Sequence, residues 1–175
     1  MTADADRPSR LLLTGMSGTG KSSLVAALVA RGLWAVDTDD GWCEPTGDGH
    51  QQWREEAVAT LLASRPDETL FLAGCEANQG RFYDRFDAVV LLSAPREVLV
   101  DRISRRTSNP FGKAPDELAR ILSDLEHVEP LLRRGATHEV RTDVPLDDVV
   151  AQVLAIAGVT APGRGTPSTG RRVRE

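Results

Sequence analysis

The sequence predicts a three-layer α/β domain, in which a five-stranded parallel sheet lies between two layers of helices. The first observation is that short apolar runs alternate with amphipathic stretches along the chain. The second is that 175 residues suit one domain with one buried core. The third is a composition of 41% hydrophobic and 27% charged residues, which is ordinary for a globular protein. We therefore expect a single domain over residues 1–159.

The first half of the chain is predicted to contain three strands and two helices. The strands are short apolar runs, as expected for buried parallel strands, at residues 10–14, 33–36 and 69–73. Apolar residues recur at helical spacing in two stretches, residues 21–31 and 51–64. Gly32 is placed to end the first helix, and the Gly-, Pro- and acid-rich stretch 40–50 predicts a loop.

The second half is predicted to contain two strands and three helices. By the same criteria, the strands lie at residues 87–92 and 138–141. The helices lie at residues 95–106, 116–133 and 146–157. Residues 107–114 (TSNPFGKA) interrupt the helical pattern with proline and glycine. Residues 160–175 hold four Arg against one Glu and few apolar residues, which predicts a disordered basic tail.

Charge and cysteine content exclude several classes of protein. The formal net charge of −5 gives an acidic body, which disfavours nucleic acid as a partner because phosphate backbones bind clustered Lys and Arg. No run approaches 18 consecutive apolar residues, so we expect no membrane span. The N-terminus lacks the apolar core of a secretion signal. Cys43 and Cys75 match neither a disulfide framework nor a zinc motif, so we expect a cytoplasmic protein.

Residues 15–22 (GMSGTGKS) match the phosphate-binding P-loop pattern G-x-x-x-x-G-K-[ST] at every fixed position. Glycines let successive backbone N–H groups converge on phosphate oxygens, and the helix that follows adds its N-terminal dipole. Lys21 is expected to reach the β- and γ-phosphates of ATP, and the Ser22 hydroxyl to ligate Mg²⁺. The candidate nucleotide-binding residues are Gly15, Met16, Ser17, Gly18, Thr19, Gly20, Lys21, Ser22 and Ser23.

These glycines permit two other interpretations. A dinucleotide-binding G-x-G-x-x-G motif is excluded, because Ser23 occupies the position of its third glycine. A glycine-rich turn that matches by chance is the other. The motif lies, however, between an apolar strand and an amphipathic helix, which is the context that a P-loop requires. The sequence therefore predicts a nucleoside triphosphate site.

Acidic residues follow the second predicted strand, at the end where doubly wound sheets bind ligands. Asp37 is a candidate catalytic residue: a carboxylate there can orient an acceptor hydroxyl and take its proton, or hold a water in the magnesium shell. Asp39 is a candidate for binding the acceptor. The alternative is a solvated acidic loop that caps a helix.

The segments GMSGTGKSSLVAALVARG and LWAVDTDD together resemble the shikimate kinase and gluconate kinase group of small-molecule kinases. They are also similar to adenylate-kinase-like nucleotide kinases and to chloramphenicol phosphotransferase. The resemblance covers roughly residues 10–157. It implies a P-loop NTPase fold with the strand order 2-3-1-4-5 and a short lid. It also implies that Asp37 lies near the transferring phosphoryl group and Asp39 near the substrate.

The segment after the third strand departs from shikimate kinases, which carry a run of glycines there that contacts the substrate. This chain has GCEANQGR at residues 74–81, so shikimate is not the predicted acceptor. The segment is nearer to gluconate kinases, whose corresponding stretch is polar. Glu76 is a candidate for binding the acceptor or assisting magnesium, and Arg81 for holding an anionic acceptor. Alternatively, Glu76 caps the following helix and Arg81 lies on an exposed face.

Arginines before the interruption at residue 107 resemble the lid of these kinases, which we place at about residues 105–115. Arginine forks neutralise the charge that develops on the γ-phosphoryl oxygens, and a closing loop excludes water. Arg102 and Arg106 are four apart on one helix face, so they are favoured over Arg105, with Lys113 a weaker candidate. The alternative is a set of solvated arginines.

We expect an ATP-dependent phosphotransferase that moves the γ-phosphoryl group of Mg-ATP to a hydroxyl or phosphate of a small molecule. One alternative is a nucleoside monophosphate kinase. Another is a nucleotide-dependent accessory ATPase or switch protein that has no small-molecule acceptor. A polynucleotide kinase is disfavoured by the acidic body of the chain. The identity of the acceptor and the oligomeric state stay open.

Overall fold

Five parallel strands form the central sheet of the computed structural model, which describes residues 7–107 and 109–160. In chain order, the strands of the fold are β1 (Arg10–Thr14), β2 (Trp34–Asp37), β3 (Cys43–Pro45), β4 (Gln51–Trp53), β5 (Leu70–Ala73), β6 (Ala88–Ser93) and β7 (His138–Arg141). The central sheet has the order β2-β5-β1-β6-β7, and every neighbouring pair in it is parallel. Counting these five strands along the chain gives 2-3-1-4-5, so the predicted fold class and strand order are confirmed.

Helices cover both faces of this sheet. They are α1 (Lys21–Val29), α2 (Glu55–Ala63), α3 (Arg96–Arg105), α4 (Pro115–His127), α5 (Glu129–Gly135) and α6 (Leu146–Ala157), with a 3-10 helix at Gln79–Arg85. Leu11 and Leu13 of β1 pack with α1 and α6 in one buried cluster. Leu12 faces the other side, where it packs with α2 and the 3-10 helix. Burial on both faces explains why the central strands are continuous apolar runs.

The first helix ends as the sequence predicts. Gly32 has a φ of 77°, in the left-handed region that favours glycine. Leu33 N–H donates to the Leu28 carbonyl at 3.1 Å, and Gly32 N–H donates to the Val29 carbonyl at 2.9 Å. This pair of hydrogen bonds is the Schellman motif, which satisfies the last carbonyls of the helix and turns the chain into β2.

A β-hairpin replaces part of the loop and helix predicted between residues 40 and 64. Strand β3 pairs antiparallel with β4, and α2 begins only at Glu55, so the prediction is wrong over this stretch. Trp53 is fully buried, and its backbone N–H and C=O both bond to the Asn78 side chain at 3.0 Å. This tertiary contact holds the chain extended where local spacing alone favours a helix.

The single helix predicted over residues 116–133 is two helices, α4 and α5, which meet at Val128. Pro130 lies in the first turn of α5 and has no N–H to continue the helical hydrogen bonding of α4. Within the described part of the chain, every helix is too short or too polar to cross a membrane. Of the predicted basic tail, residues 161–175 lie outside the described residues.

Candidate functional site

The P-loop joins the end of β1 to the start of α1 at the carboxyl edge of the sheet. Gly18 has a φ of 85°, and a Cβ there would lie 3.2 Å from the Ile103 side chain of α3. Glycine therefore meets two demands at this position, a left-handed backbone and a close approach to α3. Thr19 is fully buried, and its hydroxyl donates to the Met16 carbonyl at 2.8 Å, which closes the loop on itself.

Lys21 is the first residue of α1, at the positive end of the helix dipole. Its Nζ donates to the carbonyl oxygens of Gly15, at 2.6 Å, and Met16, at 3.3 Å. These contacts hold the ammonium group over the loop rather than in solvent. Contact between Lys21 and a phosphate group bound by the same loop stays a prediction.

Ser22 and Asp37 bring the P-loop helix together with the end of β2. The Ser22 hydroxyl donates to Asp37 Oδ2 at 2.7 Å, and Asp37 Oδ1 accepts from the Asp39 N–H at 3.2 Å. A hydroxyl oxygen and a carboxylate oxygen this close fit Mg²⁺, which takes oxygen ligands. In phosphotransferases the phosphates and water usually supply its remaining ligands.

The first of two cavities at this edge, the P-loop cavity, has a volume of about 600 Å³. Its walls are formed by the P-loop, α3 and the turn that follows β7, through Ser17, Gly18, Thr19, Gly20, Lys21, Ser22, Ser23, Asp39, Asp101, Arg102, Arg105, Arg106, Asn109, Thr142, Val144, Leu146 and Val149. Phosphate-binding groups and apolar side chains thus divide the wall of one cavity between them. This division suits a nucleotide, with its charged tail and its flat base.

Both arginines favoured by the sequence line the P-loop cavity. Arg102 donates to the Gly18 carbonyl at 3.3 Å and to Thr142 through its hydroxyl, at 3.0 Å, and its carbonyl. Arg106 donates to the Phe111 carbonyl, and partial burial lowers the pKa of its guanidinium. Among the described residues, its buried Nε has no hydrogen-bond partner. Two guanidinium groups in the wall of one cavity fit an anionic ligand.

The remaining lid candidates make local contacts. Arg105 lines the P-loop cavity but pairs with Asp101 at 2.8 Å, where both side chains are exposed. Lys113 Nζ donates to the Ser104 carbonyl at 3.2 Å, and Gly112 N–H donates to Glu117 of α4 at 2.8 Å. The segment after α3 is therefore tied to α3 and to α4.

The second cavity, the Glu76 cavity, lies on the other side of the P-loop and has a volume of about 980 Å³. Its walls are formed by Met16, Cys43, Glu44, Pro45, Gly49, His50, Gln51, Cys75, Glu76, Ala77, Gln79, Gly80, Tyr83, Phe111, Arg120, Asp124, Val128, Leu131 and Leu132. Consecutive P-loop residues, Met16 and Ser17, line the two cavities. A nucleotide and a second small molecule therefore have separate places beside one loop.

Two carboxylates near this junction have raised pKa values. Asp39 is exposed as a residue, but its carboxylate loses part of its surrounding water, which raises its pKa. The negative charge of Asp37 raises this pKa further, and the positive charge of Lys21 lowers it. Burial also raises the pKa of Glu76, with a smaller contribution from Asp39, while a hydrogen bond from Gln51 lowers it. Asp39 and Glu76 are thus better proton acceptors than exposed carboxylates.

The structure does not bring Arg81 together with the other predicted site residues. Its guanidinium pairs with Glu55 at 2.6 Å, its side chain is 71% exposed, and it lies outside the set that forms either cavity. Cys43 faces the Glu76 cavity, where burial, followed by Glu76 and Asp39, raises the pKa of its thiol to about 12. Cys43 is therefore a neutral wall residue at physiological pH.

Several supporting residues were not predicted from the sequence. Thr38 is fully buried, and its hydroxyl accepts from Trp53 Nε1 at 2.9 Å. Gln79 is buried in the wall of the Glu76 cavity, where its Nε2 donates to Thr14 at 3.1 Å and to the Tyr83 hydroxyl at 2.9 Å. Gln79 begins the 3-10 helix that follows β5, and no motif in the sequence singles it out.

Known proteins share this chain's fold and much of its length. A family model described as an AAA domain matches residues 11–123. A shikimate kinase from Rhodopirellula baltica is 30% identical over 182 residues, which cover 90% of this chain and 95% of that protein. The structure of shikimate kinase from Acinetobacter baumannii in complex with shikimate aligns with a TM-score of 0.63 at 22% identity, covering 86% of this chain and 93% of that one.

A gluconokinase from Sinorhizobium meliloti aligns with a TM-score of 0.57 at 23% identity, covering 86% of this chain and 91% of that one. At these identities the structural likeness shows the fold alone. Membership of a family therefore follows from the sequence matches.

Proposed function

Because this chain belongs to the P-loop small-molecule kinases, we propose that it transfers the γ-phosphoryl group of Mg-ATP to an acceptor bound in the Glu76 cavity. The observation that carries the proposal is the pair of cavities on either side of one P-loop, with the Ser22–Asp37 contact beside them. The P-loop cavity has the size and the polar–apolar division for ATP. The Glu76 cavity provides a place for the molecule that is phosphorylated.

Binding of the triphosphate is assigned to the P-loop and the arginines. Backbone N–H groups of Gly18 and Gly20 surround the phosphates, and Lys21 turns from its carbonyl contacts to the β- and γ-phosphate oxygens. Ser22 and Asp37 would hold Mg²⁺, which supplies positive charge to the same oxygens. The apolar side chains Val144 and Leu146 face the base.

In the transfer step, an acceptor oxygen attacks the γ-phosphorus and the bond from this phosphorus to the ADP oxygen breaks. Asp39, rather than the predicted Asp37, orients the acceptor hydroxyl and takes its proton, because burial raises its pKa above that of an exposed aspartate. Asp37 is engaged with Ser22 and the Asp39 N–H. Arg102 and Arg106 neutralise charge on the transferring group.

The Glu76 cavity favours this function over an accessory ATPase or switch. A switch protein needs a nucleotide site but no second cavity of about 980 Å³ beside it. Shikimate is a candidate acceptor by relationship to the shikimate kinases, although residues 74–81 depart from their run of glycines. Gluconate is a candidate because the same segment resembles that of gluconate kinases. A nucleoside monophosphate is the remaining candidate of a different class.

The test is acceptor-dependent transfer from γ-³²P-labelled ATP by the full chain with Mg²⁺. We expect at least one small hydroxyl compound to become labelled, and Lys21→Ala to lower the rate by a factor of about 10² or more with the circular dichroism spectrum unchanged. Near-normal transfer by Lys21→Ala would contradict the assignment of the P-loop. ATP hydrolysis that no acceptor accelerates would favour the switch protein.

A further inference from the structure

The charges in the Glu76 cavity point to the chemical class of the acceptor. We infer that the acceptor is a polyhydroxy compound without negative charge, and that a basic amine on it strengthens binding. This inference rests on the proposed function, because it concerns the second substrate of the same site. It departs from the carboxylate acceptors that the names of the related kinases suggest.

Carboxylates dominate the charged side chains in the wall of this cavity. Glu44 on β3, Glu76 after β5 and Asp124 on α4 contribute three negative charges from three different elements. Arg120 is the one cationic Lys or Arg side chain that the described wall contains. Asp39, in the wall of the adjoining P-loop cavity, adds negative charge close to Glu76, against the single ammonium of Lys21. A negatively charged acceptor would meet like charge on most sides.

The arginine in this wall and two arginines beside it already make contacts with other residues. Arg120 donates to His50 Nδ1 at 2.8 Å, so part of its fork is turned to a neighbour in the same wall. Arg81 pairs with Glu55 away from the cavity. Arg54 donates to the Gly41 carbonyl and lines a different groove along α2. A carboxylate acceptor would therefore find one partly engaged arginine in this wall against three carboxylates.

The carboxylates keep oxygens available for a cationic or hydroxyl ligand. Gln51 Nε2 donates to Glu76 Oε1 at 3.0 Å, and Gln52 Nε2 donates to Glu44 Oε1 at 3.0 Å. Each of these bonds uses one of the two oxygens, and each oxygen accepts more than one hydrogen bond. Glu76 and Asp124 are half-buried, so an amine that bonded to them would be poorly screened by solvent. Hydroxyl groups donate to the same oxygens, without the added attraction between opposite charges.

The apolar part of the wall suits the carbon skeleton of a polyol. Met16, Phe111 and Leu131 face the cavity, and Leu131 is 57% exposed. The Tyr83 hydroxyl accepts from Gln79, which leaves its ring as a flat surface in the same wall. Rings of this kind pack against the C–H faces of sugars and cyclitols while polar groups bond their hydroxyls.

The experiment compares three acceptors that share one skeleton and differ in charge: D-gluconate, D-glucitol and 1-amino-1-deoxy-D-glucitol. Their dissociation constants are measured by ligand-observed NMR with the full chain and Mg-ADP. We expect the amine to bind tightest, the neutral polyol next, and gluconate about tenfold or more weaker than the amine. Gluconate binding equally well or better, or no binding by any of the three probes, would overturn the inference.

Variants separate the carboxylates from general charge effects. Glu76→Gln and Asp124→Asn should each reduce the ratio of the gluconate Kd to the amine Kd by about threefold. Glu126→Gln is the control, because Glu126 lies on the same helix as Asp124 but is exposed and outside the cavity wall. The inference would be overturned if Glu126→Gln reduced this ratio as much as Asp124→Asn.

Phosphoryl transfer to the same three compounds, followed by ³¹P NMR, keeps the inference distinct from the proposed function. Phosphorylation of gluconate in preference to the amine would leave the kinase function intact and overturn the inference. Binding in the order amine, neutral polyol, gluconate, without phosphoryl transfer to any hydroxyl compound, would support the preference of the cavity for charge and contradict the kinase function.

Discussion

At Gly74 the absence of a side chain makes room for two groups that support the site. A Cβ at this position would overlap the Thr38 hydroxyl and lie 3.1 Å from ring atoms of Trp53. Thr38 stands between Asp37 and Asp39, and its hydroxyl accepts from Trp53. One glycine thus allows the strand-end turn, the buried indole and β5 to pack together.

Gly74→Ala should therefore lower the free energy of unfolding by about 1–3 kcal/mol, because the added methyl forces Thr38 or Trp53 to move. Urea denaturation followed by Trp fluorescence measures the change. Gly80→Ala is the matched control, since a Cβ there meets nothing within 4 Å. Equal free energies of unfolding for the two variants would show that the turn accommodates a methyl group at residue 74, which would contradict the prediction.

Asp39 should make turnover sensitive to acid. Its pKa is raised in the folded protein, so as pH falls it gains a proton, and loses its action as a base, at a higher pH than an ordinary aspartate does. Asp39→Asn should lower kcat by about 10²-fold or more and remove the corresponding acidic limb of the pH–rate profile. An unchanged acidic limb in the residual activity would contradict this role.

The same pKa shift predicts the opposite effect on stability. Above the raised pKa, the Asp39 carboxylate is ionised and partly desolvated in the folded protein, whereas in the unfolded chain it is ionised in water. This difference lowers the free energy of unfolding, and the loss disappears as pH falls below that pKa because the carboxylate is then protonated. Asp39→Asn should therefore be at least as stable as the original protein at pH 7, as measured by urea denaturation.

How far the sequence predicts single residues depends on how local their partners are. The P-loop residues follow from one motif, and Asp37 and Asp39 from their place after a strand. Gly74, Thr38 and Trp53 depend on contacts between separate elements, which local patterns do not contain. Arg81 shows the same limit, because its pairing with Glu55 links a 3-10 helix to α2. The roles of the site residues in transfer stay predictions.

Among the elements, α3 has the widest reach within the site. Arg102 on this helix contacts the P-loop at Gly18 and the turn after β7 at Thr142. The turn itself is fixed to β6, because Thr142 N–H donates to the Ser93 carbonyl at 2.8 Å. One guanidinium fork thus joins three elements around the P-loop cavity.

Arg102→Lys should weaken ATP binding by about tenfold, near 1.4 kcal/mol, because a single ammonium cannot hold all three partners. Arg105→Lys on the same helix should change it by less than about twofold, since Arg105 makes an exposed pair with Asp101. Calorimetric titration with a non-hydrolysable ATP analogue measures both. Similar losses for the two variants would contradict a special role for the Arg102 fork, and no loss for either would mean that positive charge alone matters.

Element boundaries were predicted well where helices and strands follow local periodicity and poorly where tertiary contacts decide. The five strands of the central sheet and Gly32 at the end of α1 were predicted correctly. The β3–β4 hairpin was missed, because its pairing depends on burial of Trp53 against Asn78. The break at Val128 had a cue in Pro130, which the helical spacing of its neighbours outweighed.

At the scale of the molecule, the predicted kinase family is confirmed, and the order of strands explains where its site forms. β1 lies at the centre, between β5 and β6, so the P-loop emerges in the middle of the sheet edge. β2 and β5 deliver Asp37 and the Glu76 segment to one side, and β6 and β7 lead to α3 and Thr142 on the other. The site is therefore an outcome of topology as much as of motif.

Ligand binding should consequently stabilise the whole fold. At a concentration of Mg-ATP one hundred times its Kd, we expect the free energy of unfolding to rise by about 2.7 kcal/mol. Removing Mg²⁺ with EDTA should abolish most of this gain, because Ser22 and Asp37 then have no cation to share with the phosphates. Differential scanning calorimetry measures both. If Lys21→Ala showed an equal rise in the free energy of unfolding at the same Mg-ATP concentration, a role for the Lys21 ammonium group in binding would be contradicted.

Asp37 presents one oxygen to the Ser22 hydroxyl and the other to the Asp39 N–H. An asparagine of the same shape would have only one side-chain oxygen. The Asp39 N–H can only donate, so we expect that oxygen to accept from it. The NH₂ group of the asparagine would then point toward Ser22, so N–H hydrogens would occupy the place of the carboxylate oxygen that a cation needs. Exchanging one atom would thus preserve the turn and reverse the polarity of its outer side.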